Sequence, residues 1–134
     1  MDEQFENRLR FLRKANTEGM PHSDRDLFDH LLGTGQLLVD WGARPALCDA
    51  GLFHSVYGTE YYELKTVPLA MWEEVQQLIG KEVELLVWLF CMMRRETLGR
   101  DKEFSVLHRL TGEKIHLNHA RFQDLVTMTI ANSL

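Results

Sequence analysis

Apolar positions Phe5, Leu9 and Leu12 recur at helical spacing, which predicts an amphipathic helix at the start of the chain. The stretch NTEGMPHSD then interrupts the pattern with Gly19 and Pro21. Ser23 or Asp24 is placed to cap a second helix, running to about Trp41, with Leu27, Leu31 and Leu38 as its apolar stripe and Asp29, Gln36 and Asp40 as its polar face. Gly42 ends that helix, and Pro45 opens a third that runs to about Ser55. Its small residues Ala46, Ala50 and Gly51 let neighbouring helices approach closely. YGTEYYELKTVP reads as a loop. In the helix that follows, Met71, Trp72, Val75 and Leu78 share one side, and Gly80 stops it. KEVELLVWLFCMMRRE is apolar almost all round, as a central buried helix should be.

The period changes at FSVLHRLTGEKIHLN. Phe104, Val106, His108 and Leu110 alternate on one face, Thr111-Gly112 makes a turn, and Ile115 and Leu117 resume, which predicts a short β-hairpin. Asn118 is placed to cap a last helix over 120–132. The expected fold is one all-α domain over residues 1–134, of five or six helices with one small hairpin near the C-terminus.

Composition changes this picture only a little. The 134 residues are 45% hydrophobic and 26% charged, enough for one core of useful size. A formal charge of −5 argues against nucleic acid or an anionic membrane as partner, since both are polyanions. Arg94, Arg95, Arg100 and Lys102 form the one basic cluster, read as a solvated helix end and loop. The two cysteines, Cys48 and Cys91, lie in apolar helical surroundings and read as buried free thiols of a reducing compartment. The charged start MDEQFENRLR has no signal-peptide core, and the run Leu85 to Met93 is too short to span a bilayer. A cytoplasmic location is the expectation.

Candidate chemistry gathers in AGLFHSVYGTEYY. His54 closes an apolar segment and Ser55 follows it, while His30 lies at the edge of the second helix's stripe. Two consecutive helices joined by a short turn pack antiparallel, so the two imidazoles are expected to approach one point in the core. A metal needs three or four donors, and His22 is the available third histidine. His22 and Arg25 stand just before the second helix, and with Arg25 in its first turn they would form an anion site. Tyr57, Thr59 and Glu60 offer two hydroxyls and an acid from the loop. A serine nucleophile is a further reading, with His30 as its base, because His54 and Ser55 are chain neighbours whose side chains diverge. His108, His116 and His119 read as solvated or hairpin-face residues.

The order DHLLGTGQLL, AGLFHSVYGTE, IGKEVELLVWL resembles the HD superfamily over about Asp24 to Phe90, with a distant similarity to the alarmone (ppGpp) hydrolase domain. More of the chain is similar to an HD-like family of unassigned activity that carries G-L-F-H-S-x-Y-G-T, an upstream H-S-x-R and an R-L-T-G-E hairpin. The resemblance implies an HD-like helical bundle. It implies that His30 is the first metal histidine, His54 the histidine of the dyad, Ser55 the counterpart of the dyad aspartate, and Asn132 that of a late aspartate. The acidic pair of the alarmone enzymes falls on Gly58 and Thr59. Both histidines are kept and the carboxylates are not, so an ordinary alarmone hydrolase is not expected. A divalent ion, if held by His30 and His54, would be held weakly.

Three readings follow. The first is a variant HD-like enzyme, hydrolase-like or metal-dependent, acting on a small polar or anionic molecule, phosphorylated ones included. In it His30, His54, Ser55 and Glu60 carry catalysis, and His22, Arg25, Tyr57 and Thr59 bind substrate. The second is a catalytically degenerate module that binds a small ligand or a protein. The third is a structural domain without a site.

Overall fold

The computed structural model describes residues 3–15, 21–22, 25–61, 67–100 and 102–134, with residues 21, 22, 25 and 26 described as backbone only. Six α-helices and two short antiparallel strand pairs are present among them. Helix α1 spans Glu3–Lys14, with acidic residues in its first turn and basic ones in its last, as the helix dipole favours. Strands β1 (Pro21–His22) and β2 (Arg25–Asp26) pair antiparallel, His22 opposite Arg25.

Helix α2 covers Leu27–Asp40, so it begins with its apolar stripe and later than a cap at Ser23 or Asp24 implies. The backbone of Arg25 and Asp26 is extended and paired with β1, so Arg25 does not stand in the first turn of α2. The cap expected at Ser23 or Asp24 lies outside the described residues. Gly42 takes a left-handed φ of 76° after α2, and Pro45 opens α3 at Pro45–Leu52.

Helices α2 and α3 lie very close together. A Cβ added at Gly51 would collide with the Cδ1 of Leu38 and touch the Gly35 Cα at 3.6 Å. Helix α3 ends three residues earlier than expected. The N–H groups of Phe53 and His54 bond to the carbonyls of Ala50 and Gly51, which tightens the chain into a turn over 53–57. His54 and Ser55 therefore sit in this turn and not on the helix.

A 3-10 turn at Leu69–Met71 leads into α4 (Trp72–Ile79). Gly80, at φ 91°, separates it from α5 (Lys81–Met92), the buried central helix. The stripe expected on α4 is only partly internal: Val75 is buried and Leu78 partly so, while Met71 and Trp72 are exposed. After a 3-10 turn at Arg95–Thr97 come β3 (Ser105–Leu107) and β4 (Lys114–His116), in the register Val106 opposite Ile115. The hairpin docks on the end of α5 through a Met93–His108 bridge and the bonds Arg94 N–H to Leu107 O (2.8 Å) and Arg109 N–H to Met92 O (2.7 Å). Helix α6 spans His119–Ser133, and the Asn118 side chain accepts from the Arg121 N–H as its cap.

The result is an all-α bundle with one small C-terminal hairpin, in which α2, α3, α5 and α6 pack around one core. Arg44, just before α3, ties three elements by bonding Asp124 of α6 through two nitrogens (2.9 Å each) and Glu82 of α5. No helix among the described residues is long and apolar enough to cross a membrane.

Candidate functional site

His30 lies one turn into α2 and His54 in the turn after α3, and the glycine contact between these elements draws them together. Their ring centroids are 5.0 Å apart in an edge-to-face arrangement, and both are buried. Asn132, near the end of α6, closes the group: its Oδ1 accepts from His30 Nε2 at 2.7 Å, and its side chain also interacts with the His54 ring. His54 Nδ1–H donates to Gly51 O at 2.7 Å, which fixes the tautomer and leaves Nε2 as an acceptor. Phe90 of α5 packs edge-to-face on the His54 ring, with centroids 5.4 Å apart.

Burial pushes the His54 pKa down to about 3; the Gly51 carbonyl opposes this and His30 reinforces it. The imidazole is neutral throughout the physiological range. An amide suits this pair of rings because it accepts from His30 and can donate to the neutral His54, whereas a carboxylate only accepts.

The loop residues divide. Ser55 is buried, and its Oγ has no hydrogen-bond partner among the described residues. Thr59 is buried as well. Glu60 is partly exposed and its Oε1 accepts the Arg95 backbone N–H at 3.1 Å, which anchors the loop to the segment after α5. Tyr57 is fully buried and its hydroxyl donates to Glu84 Oε2 at 2.9 Å, so that hydroxyl is committed to α5 and not to the histidines. The side chains of His22 and Arg25 lie outside the described residues.

Sequence reasoning assigned Arg95 to a solvated basic cluster. Here its guanidinium is half-buried between two rings, 4.8 Å from the centroid of Phe90 and 4.8 Å from that of Tyr61. Burial lowers its pKa, with Tyr61 and Glu60 opposing, and its charge is felt at His54. No carboxylate lies within ion-pair distance of that guanidinium among the described residues. No local charge pattern signals this placement, because the Tyr61 ring comes from a distant part of the chain.

The thiols take no part in this chemistry. Cys91 donates to His54 O at 3.2 Å and burial pushes its pKa up to about 12, so it stays a thiol. Cys48 is only partly buried, on the other side of α3, where it donates to Ala43 O.

The residues present were tested against the metal that the HD resemblance implies. The donors gathered here are two imidazoles and one amide, and among the described residues no three His, Cys, Asp or Glu side chains cluster to hold an ion. A hard divalent cation wants anionic oxygen, and this set has none, so it does not fit.

No curated protein matches the chain, and no solved structure matches it. A family model described as Domain of unknown function (DUF6817) matches residues 11–95, a span that holds His30, His54, Ser55 and Arg95 and stops short of Asn132.

Proposed function

The chain belongs to the DUF6817 family, and from that footing we propose that it is an HD-like domain in which a metal-hydrolase site has become a metal-free receptor for a small anion. The chain order of the cluster supports the HD reading: histidine on α2, histidine–serine after α3, asparagine on α6, where HD proteins carry histidine, histidine–aspartate and aspartate. The loss of carboxylates removes both the metal and the negative charge that would repel an anionic ligand.

The observation that carries the anion is Arg95. A half-buried guanidinium with aromatic contacts and no carboxylate partner among the described residues is electrostatically incomplete, and a bound phosphate or carboxylate would complete it. Ser55 Oγ, buried and unpartnered, supplies a hydroxyl donor to the same ligand.

Calorimetry with inorganic phosphate and with acetate, in the presence of a chelator, tests this. Saturable binding is expected, weakened about tenfold or more by Arg95→Ala and less by Asn132→Ala. Absence of binding, or equal binding by Arg95→Ala, would overturn it.

Ser55 also favours a second reading, a variant enzyme that turns over the same anion, because a buried hydroxyl with no partner among the described residues is a potential nucleophile. Against it, an imidazole whose pKa is lowered to about 3 is a weak base at neutral pH. The binding reading is therefore preferred. Release of phosphate from a generic phosphomonoester, lost in Ser55→Ala, would favour the enzyme.

A further inference from the structure

On the far side of the Tyr57 hydroxyl lies a second arrangement that the anion site does not use. Glu84, in the first turns of α5, is only 7% exposed, yet it lines an open cleft of about 360 Å³ between α4 and α5. The other lining residues are Leu69, Trp72, Leu85 and Trp88. A buried carboxylate is costly unless it is paired with a cation or well hydrogen-bonded. Glu84 has one hydrogen bond, from Tyr57, and no Lys or Arg pairs with it among the described residues. Burial raises its pKa, and the Tyr57 bond opposes that shift.

The cleft's walls say which ligand would relieve this. Aromatic faces are electronegative and attract cations, most strongly in tryptophan. Trp72 is 42% exposed, and with Leu69 and Met71 it forms an apolar group at the surface on the approach to α4. Trp88 is backed by His108 of the hairpin segment, with ring centroids 5.7 Å apart. An anion would meet a carboxylate and two π-faces of its own sign. A neutral apolar molecule would cover the tryptophans and leave the carboxylate buried further and unpaired. An ammonium group that carries alkyl substituents satisfies both, and the volume suits a small ligand of that kind.

The geometry points to this cleft, with its two tryptophans and the Glu84 carboxylate, as a binding site for a small organic ammonium ion. It is chemically opposite to the anion receptor and does not depend on it. Glu84 would supply the ion pair, Tyr57 would hold the carboxylate in place, and Trp72 and Trp88 would enclose the alkyl groups.

The test is a titration of the full chain with n-butylammonium chloride, followed by the indole N–H signals in a 1H–15N spectrum. Sodium chloride controls for ionic strength and n-pentanol serves as a neutral isostere. The signals of Trp72 and Trp88 are expected to shift in a saturable way, while that of Trp41 does not. Glu84→Gln keeps a hydrogen-bond acceptor for Tyr57 and is expected to weaken binding about tenfold. Trp72→Ala, at an exposed position that does not endanger the fold, is expected to weaken it about threefold. The assignment is overturned if neither indole shifts, if n-pentanol binds as well as the ammonium, or if Glu84→Gln and Trp72→Ala both retain full affinity.

Discussion

His54 stays neutral because it is buried, and that has a measurable consequence. Its folded pKa of about 3 lies below the ordinary 6.5. The unfolded chain therefore takes up a proton in a range where the folded chain does not. Stability is fully present above pH 6.5 and is lost as the pH falls toward 3. Between pH 7 and pH 5 this one group should remove about 2 kcal/mol. Denaturant unfolding of wild type and His54→Gln at both pH values checks it, because other titrating groups cancel in the difference. The gap should narrow or reverse toward pH 5, and parallel curves would show that His54 titrates normally. The meeting of His30 with His54 was legible in the sequence, since it follows from two consecutive helices and a short turn. The role of Arg95 was not. Its burial depends on Tyr61, thirty-four positions earlier, and on the hairpin docked at the end of α5, neither of which a local charge pattern reveals. The bond from the Tyr57 hydroxyl to Glu84 was hidden for the same reason, because Glu84 is distant in sequence.

Helix boundaries were legible wherever a residue with a hard backbone constraint marked them. Gly42, Pro45, Gly80 and the Asn118 cap stand where their conformational preferences put them. The end of α3 was not legible, because Phe53 to Tyr57 are apolar enough to continue a helix and it is packing that turns them. The outward position of Met71 and Trp72 was hidden too, since periodicity shows which residues share a side of α4 and not how much of that side is covered. The contact that matters most for the site is between α2 and α3. Gly51→Ala would push a methyl group into the Cδ1 of the fully buried Leu38, whose side chain would have to shift within the core. The gain in helix propensity offsets part of this, leaving a net loss of about 1–2 kcal/mol. Thermal unfolding checks the magnitude. A more stable Gly51→Ala would mean that α2 and α3 do not approach as closely as described. The same variant should weaken phosphate binding, because it separates the elements that carry His30 and His54.

At the scale of the molecule, a chain with a formal charge of −5 keeps a guanidinium whose charge is felt at the neutral His54 ring and surrounds both with helices. Closure depends on α6, which brings Asn132 to His30. That helix is held in turn by Arg44, whose pair with the largely buried Asp124 links it to the starts of α3 and α5. Arg44 is itself partly exposed, so solvent screens the pair. Arg44→Ala should cost about 1–2 kcal/mol by denaturant unfolding, and no change would mean that the pair is merely superficial. The central claim is that His30, His54 and Asn132 form a metal-free anion site with Arg95. It is tested most directly by a long-range 1H–15N spectrum of the histidine side chains, recorded in chelator with and without phosphate. The account predicts that His54 appears as a neutral ring protonated at Nδ1, unchanged from pH 7 to pH 5. Its signals and the Arg95 Nε–H signal should move together on addition of phosphate. A His54 ring that titrates near pH 6.5, or spectra that phosphate leaves unchanged, would contradict it.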